Sequence, residues 1–244
     1  MAMAEAAVLG AAEKAARLDA ELAPLDTPAL LRTVIEELFP GRIALVTSFG
    51  ADSAVLLHMT AQINTATPVL FIDTHVLFEE TLAYRERLVA HLGLENVIVI
   101  DPEPTLLAAE DPENFLWASN PDRCCEIRKV LPLAGALDSY DAWITGRKRF
   151  QARTREALAL FEAEGGRIKV NPLAPWTASQ ISGYLDTHAL PRHPLVAQNY
   201  LSIGCIPCTS PVKPGEDARA GRWRGRGKIE CGLHTKPLDA VADN

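Results

Sequence analysis

The 244-residue sequence has no run approaching the ~20 apolar residues that a membrane-spanning helix requires. Nor does it carry an excess of positive charge. Its 24 Lys and Arg against 31 Asp and Glu leave a net charge of −7, which argues against a general nucleic-acid or membrane-surface binder. Residues 1–23 hold Glu5, Glu13, Lys14, Arg17, Asp19 and Glu21 among alanines. They lack the basic start and apolar centre of a signal peptide and read as an amphipathic helix or a leader. Internal repeats and low-complexity tracts are absent. Cysteines number only five, two of them adjacent and two in a CxxC, which suits metal thiolates or free thiols in a reducing compartment better than a disulfide framework. A cytoplasmic protein is expected.

What is present is an ordinary globular composition, 48% hydrophobic and 23% charged, in a chain long enough to bury a core without covalent staples. Apolar runs at 43–47, 69–72, 97–100, 142–145 and 168–170 read as buried strands. Helical patterns separate them at 28–39, 54–62, 79–92, 124–137 (with Pro132 inside it) and 155–162, and Thr177 caps a further helix reaching His188. This alternation predicts an α/β fold with a doubly wound, mainly parallel sheet and flanking helices. Residues 102–122, rich in Pro, Asp and Glu, read as a surface excursion. The expected organisation is a leader or helix over 1–25, a nucleotide-binding α/β domain over 26–189, and an irregular C-terminal arm over 190–244.

In open parallel sheets, ligands bind beyond the carboxyl ends of the strands. Ser48-Phe49-Gly50-Ala51-Asp52-Ser53 lies at such an end. Gly50 permits close backbone approach, the N–H groups of the following helix attract anionic oxygens, and Ser48 and Ser53 add hydroxyls. The string does not match the Gly-x-x-x-x-Gly-Lys-Ser loop, and the same six residues also make a plain strand–helix connection. Asp73 ends the second strand at the same edge, where it could meet a nucleoside or simply form a turn. Arg147-Lys148-Arg149 ends the fourth strand. Three consecutive cations on that edge suit phosphate or sulfate oxygens.

Cys124-Cys125 and Cys205-Ile206-Pro207-Cys208 can together close a soft-metal site. Neighbouring side chains diverge on a strand and by roughly 100° on a helix. The CxxC suits zinc or iron, but the adjacent pair favours an iron–sulfur cluster over one zinc ion. Lys129 follows Cys125 by one helical turn and could lend positive charge to an anion beside the metal. Cys231 stands apart, in Glu-Cys-Gly-Leu-His, after Arg219, Arg222, Arg224, Arg226 and Lys228. A thiol in a mobile Gly/Arg-rich tail is placed like a nucleophile.

Several strings together identify a resemblance: Ser-Phe-Gly-Ala-Asp-Ser at 48–53, Ile-Asp-Thr at 72–74, Cys-Cys-Glu-Ile-Arg-Lys at 124–129, Ile-Thr-Gly-Arg-Lys-Arg-Phe-Gln at 144–151, Cys-Ile-Pro-Cys at 205–208, Arg-Ala-Gly-Arg-Trp at 219–223 and Glu-Cys-Gly-Leu-His at 230–234. The chain resembles the assimilatory adenylyl-sulfate reductases, of the family that also contains phosphoadenylyl-sulfate reductases. The 48–53 turn is also similar to the Ser-Gly-Gly-x-Asp-Ser loop of the ATP pyrophosphatase superfamily, with Phe49 for the first Gly.

The resemblance implies an adenine nucleotide alpha-hydrolase-like fold and reduction of adenosine 5′-phosphosulfate to sulfite and AMP. It implies a Cys231 S-sulfonate intermediate, thioredoxin or glutaredoxin as reductant, and a [4Fe–4S] cluster on Cys124, Cys125, Cys205 and Cys208 that carries no electrons. It places Lys129, Arg219 and Arg222 on the phosphosulfate, Arg149, Gln151 and Arg155 in an arginine loop over the substrate, and His234 in support of the closed tail. The chain departs from the family pattern at Lys148, where Arg is common, at Ala152 for Ser, and at His75 for Gly. Phosphoadenylyl-sulfate reduction and an ATP pyrophosphatase-type adenylating or thiolating enzyme are the alternative activities, and a nucleotide-sensing module with a structural metal is a non-catalytic one. The sequence leaves oligomeric state open, a homo-oligomer included.

Overall fold

Six short strands form one sheet: β1 (Ile43–Thr47), β2 (Val69–Ile72), β3 (Val97–Ile100), β4 (Ala142–Ile144), β5 (Phe161–Glu164) and β6 (Arg167–Val170), in the order β3-β2-β1-β4-β6-β5. The computed structural model describes residues 10–234, with the side chain of His234 outside that description. All pairings are parallel except the β5–β6 hairpin at the edge. The central strands β1, β2 and β4 are apolar because both their faces are covered. Ile43, Leu45, Val69, Phe71 and Ile144 enter one core, while Ala44, Leu70, Ile72 and Trp143 enter the other. Successive side chains alternate between faces, so a doubly covered strand reads as a continuous apolar run.

Helix α1 (Ala11–Leu22) lays Ala15 and Leu18 on the larger core, and its Asp19 accepts the Phe161 N–H at 3.0 Å, tying it to edge strand β5. Helix α2 (Thr27–Arg32) continues as a wider π-turn over Thr33–Leu38, and α3 (Ser53–Ile63) and α4 (Glu79–Leu92) follow β1 and β2. Gly93, with φ 63, ends α4 in the left-handed conformation typical of a helix terminus.

One sequence-based expectation is corrected. Residues 155–162 are not a helix: Arg153–Arg155 makes one tight turn and Phe161–Glu164 is β5. Ala, Leu and Glu favour a helix locally, but Gly165 and Gly166 both take positive φ (60 and 67) and close a hairpin. Pairing of Phe161, Glu162, Ala163 and Glu164 with β6 then outweighs local propensity. Residues 102–122 are a surface excursion, as expected, but a structured one, with no buried residue in either of its two helices. They form α5 (Pro104–Glu110) and α6 (Leu116–Ser119) and lead into α7 (Pro121–Cys125). Buried Arg128 holds them down by pairing with Asp111 (2.6 Å) while donating to the Thr74 carbonyl (2.8 Å).

After α7 the helix widens to π geometry over Glu126–Val130 before α8 (Leu131–Ala136). The wider turn precedes Pro132, whose missing N–H and ring an α-helix interior would not accommodate. The last helix, α9 (Ala178–Thr187), is capped by Thr177 and Gln180 in a reciprocal box. Beyond it the described residues form only short turns and two isolated bridges, Leu77 to Cys205 and Thr209 to Arg222.

His193 fastens the start of this segment to α4. It is buried, its Nδ1 accepts the Leu195 N–H at 3.2 Å, and its Nε2 lies 3.0 Å from Thr81 Oγ1. Both contacts are satisfied by a neutral ring with the proton on Nε2. Burial holds the pKa down to about 4, whereas an unfolded histidine takes its proton near 6.5. The unfolded state therefore binds the proton first, and this contribution to stability is lost as pH falls from about 6.5 to about 4. Urea titrations at pH 7 and pH 5 should show a lower midpoint at pH 5 and a smaller drop in His193→Asn, which retains an acceptor for Leu195.

Candidate active site

Successive connections carry the chain from β1 to β2 to β3 on one side, and β4 then lands on the other side of β1. The loops after β1 and β4 part at this switch point and leave a crevice. Both expected anion-binding strings, 48–53 and 146–151, border it. In the first, Phe49 takes φ 47, a conformation glycine adopts freely, and its fully buried ring packs edge-on against Phe71 at 5.3 Å. A buried aromatic thus holds the turn where a related loop uses glycine. Lys148 joins the two loops: its Nζ sits 3.1 Å from Asp52 and donates to the Gly146 carbonyl at 2.8 Å. Burial lowers its pKa against the pull of Asp52. Arg147, also buried, is held beneath the cleft by Glu162 and Asn171.

The cleft has a volume of about 1290 Å³ including its open mouth. Of the site residues expected from sequence, Ser48, Gly50, Ser53, Lys129, Gln151, Arg155, Arg219, Arg222 and Cys231 line it. Asp73 and Arg149 do not. Asp73 accepts the His75 N–H at 2.9 Å as a turn former, and Arg149 donates to the Leu158 carbonyl at 2.9 Å. The side chain of His234 lies outside the described residues. Three features had no counterpart in the sequence reading: the wall made by Leu201–Gly204, the Lys148–Asp52 tie, and Glu230. Nothing in the local pattern of 201–204 marks it as a wall. Glu230 was visible as a neighbour of Cys231, but its partners are 75 and 11 positions away.

The cations fall into two sets. Arg155 and Arg219 are paired with Glu230. Arg222 lies across Gly204 and over the Trp223 ring at 4.6 Å, and its buried Nε has no hydrogen-bond partner among the described residues. Lys129, on the π-turn, is enclosed too. Burial opposes its charge, but the sulfurs of Cys205, Cys125 and Cys231 outweigh burial and raise its pKa, so it is charged at neutral pH. An unpartnered guanidinium and an ammonium facing one cleft can hold an anion of several oxygens.

Cys124, Cys125, Cys205 and Cys208 are all buried and free, and together line a cavity of about 320 Å³ with Lys129 and Trp223. Burial and the neighbouring sulfur of Cys125 push the Cys124 thiol up to about 12. Cys205 goes the other way: burial resists its thiolate, but Lys129, a 3.3 Å contact from the Thr74 hydroxyl, and Arg222 lower its pKa. Four sulfurs that discourage one another's ionisation fit a cationic centre that holds them all as thiolates. Among the described residues, no three His, Cys, Asp or Glu side chains are gathered closely enough for a single metal ion. Four cysteine sulfurs lining one cavity are a soft donor set of the kind that thiolate-bound metal centres use. Half-buried Cys231 packs against this group and also faces the cleft. The nucleophile candidate, the anion-holding cations and the cysteine quartet therefore adjoin.

Gly204 is what admits Arg222: a Cβ there would overlap the guanidinium. The obstructing atoms end a flexible side chain, so Gly204→Ala should fold normally but displace Arg222. Calorimetric titration with inorganic phosphate should show affinity at least about tenfold lower, in line with the ~1.5–3 kcal/mol of hydrogen bonds to a charged group. Adding Arg222→Ala to Gly204→Ala should cost little more.

Comparison with known proteins agrees with this architecture. Residues 42–211 match the family described as "Phosphoadenosine phosphosulfate reductase domain". A Mesorhizobium japonicum protein named adenosine 5′-phosphosulfate reductase is 56% identical over 94% of this chain and 91% of its own length. One of the same name from Mycolicibacterium smegmatis is 40% identical over 91% of this chain and 94% of its own. Among solved structures, a phosphoadenylyl-sulfate reductase from Candida auris, in complex with phosphate, superposes with a TM-score of 0.70. It shares 27% identity and covers 87% of this chain and 99% of its own. A Candida glabrata FMN adenylyltransferase, at 17% identity and a TM-score of 0.53, shares the fold, covering 84% of this chain and 75% of its own. With 170 consecutive residues matched to the family model, and relatives 40% and 56% identical over more than nine-tenths of its length, the chain belongs to the phosphoadenosine phosphosulfate reductase domain family.

Proposed function

We propose that the protein reduces adenosine 5′-phosphosulfate to sulfite and AMP in sulfate assimilation. The observation that carries this reading is the position of Cys231 on the wall of the switch-point cleft, beside Lys129 and Arg222 and against the cysteine quartet. The nucleotide enters the crevice between the loops after β1 and β4, with its phosphosulfate toward Lys129 and Arg222. The Cys231 thiolate attacks the sulfate sulfur, an S–S bond forms as the S–O bond to phosphate breaks, and AMP leaves with the bonding electron pair. The two cations, enclosed and preorganised, stabilise negative charge on the transferring group and on the departing phosphate. A thioredoxin or glutaredoxin dithiol then attacks the Cys231 sulfur. Sulfite leaves with its electron pair, and the second thiol resolves the mixed disulfide. The reading places this chemistry in the cytoplasm, where dithiol reductants stay reduced.

Cys124, Cys125, Cys205 and Cys208 would hold a [4Fe–4S] cluster, which when bound would help to position Lys129 and the substrate's sulfate. Within the chain, Lys129 orients the sulfate, the tail excludes water from the sulfur under attack, and the Lys148–Asp52 tie keeps the crevice walls in register.

Mass spectrometry after mixing with adenosine 5′-phosphosulfate and no reductant tests the proposal. One sulfonate should appear on the Cys231 peptide, and Cys231→Ser should abolish sulfite formation while still binding AMP. Cys208→Ser should lose iron and visible absorbance. Phosphoadenylyl-sulfate is the second reading, favoured by the Candida auris likeness. A steady-state preference for the 3′-phosphorylated nucleotide would select it.

A further inference from the structure

Glu230 is the residue before the nucleophile, and its side chain is only 8% exposed. One carboxylate oxygen accepts Arg155 Nε at 2.8 Å. The other accepts Arg155 Nη2 at 2.9 Å and Arg219 Nη2 at 3.0 Å. Arg219 Nη2 also donates to the Ile229 carbonyl at 2.9 Å, so two consecutive residues are gripped just ahead of Cys231. The anchor is itself fixed: Arg155 Nη1 donates to Gln151 Oε1 at 2.7 Å, and that oxygen accepts the Lys148 N–H in the loop after β4.

The tail reaches this anchor after Gly225 and Gly227, both in the left-handed region (φ 77 and 66), where glycine turns freely. Upstream, Arg226 donates to the Trp117 carbonyl at 2.7 Å and Lys228 pairs with Asp122. The tail thus crosses from the cysteine helix to the arginine loop, and Glu230 is its last attachment before the thiol. Arg155 and Arg219 are paired with this carboxylate, whereas Arg222 keeps a buried Nε without a partner among the described residues.

We propose that Glu230 is a positioning residue, the carboxylate half of a latch whose other half is Arg155 and Arg219, and that this latch sets the Cys231 sulfur at the cleft while leaving Lys129 and Arg222 to hold the substrate anion. This deepens the reading of Cys231 as the nucleophile and rests on it. A bidentate guanidinium–carboxylate pair shared with a second guanidinium gives both grip and direction. Glutamine keeps the size but loses the charge, and aspartate keeps the charge at shorter reach.

The test uses the iron-loaded enzyme, with Glu230→Gln and Glu230→Asp compared with wild type. Without nucleotide, alkylation of Cys231 by iodoacetamide, mapped by peptide mass, should accelerate roughly tenfold in Glu230→Gln, equivalent to about 1.4 kcal/mol, and less in Glu230→Asp. Single-turnover sulfonation of Cys231 at saturating adenosine 5′-phosphosulfate should slow by a similar factor, with AMP affinity within about twofold of wild type and partial rescue in Glu230→Asp. Alkylation and sulfonation at wild-type rates in Glu230→Gln would overturn the latch. AMP binding tightened about tenfold or more would also overturn it, by showing that the carboxylate competes with the nucleotide for the arginines. Faster alkylation in a protein that takes no sulfonate even as wild type would uphold the latch and remove the substrate reading instead.

Discussion

The reversal of strand order between β1 and β4 governs the rest of the molecule. Parallel strands hydrogen-bond side by side, yet the segments that follow them must leave for one face or the other. Where the order reverses, two neighbouring loops diverge and the sheet edge stays uncovered. A gap there would fill with water and spread unless something spanned it. Lys148 spans it, reaching Asp52 across the crevice while accepting the cost of its own burial. The crevice is thereby narrow and of fixed width, and the anion-binding residues face it without having to be ordered by the ligand.

Charge explains how the remaining parts fit around that crevice. Lys129, Arg155, Arg219 and Arg222 converge on one cleft, an arrangement that would repel itself in a low-dielectric setting. Glu230 offsets two of them, Arg155 and Arg219. Lys129 lies among the sulfurs instead, where burial pushes the Cys124 thiol up but Lys129 and the Thr74 hydroxyl bring the pKa of Cys205 down. This accounts for the cysteine cavity and the nucleotide cleft sharing Lys129 and Trp223 as a common wall.

The described part of the arm, residues 190–234, has almost no regular structure, but it is far from loosely attached. His193 joins it to α4, Cys205 bridges to Leu77, and the Trp223 backbone N–H donates to the Cys208 carbonyl at 3.0 Å. It is held by buried side chains and scattered main-chain bonds instead of a ladder. Such a segment can present glycines where a guanidinium must pass, as at Gly204, and still be firm enough to serve as a cleft wall.

Much of this was legible from the chain alone. The alternation of apolar runs with helical stretches announced a doubly wound sheet, because strands covered on both faces are apolar throughout. The 48–53 turn and the solitary Cys231 pointed to places that the fold brings to one cleft, and the cysteine spacing to a quartet beside it, whereas the basic string at 147–149 is tied to internal partners, Arg147 to Glu162, Lys148 to Asp52 and Arg149 to the Leu158 carbonyl. Residues 155–162 misled because a hairpin partner and a Gly-Gly turn overrode their helical propensity. Asp73 and Arg149 stand at the expected sheet edge but bond to their own backbone surroundings. Only the tertiary structure decided which cations are spent on an internal carboxylate and which remain for a ligand. Glu230 and Arg155 lie 75 positions apart, and no local pattern reports a pairing that exists only after the chain has folded back across its own sheet.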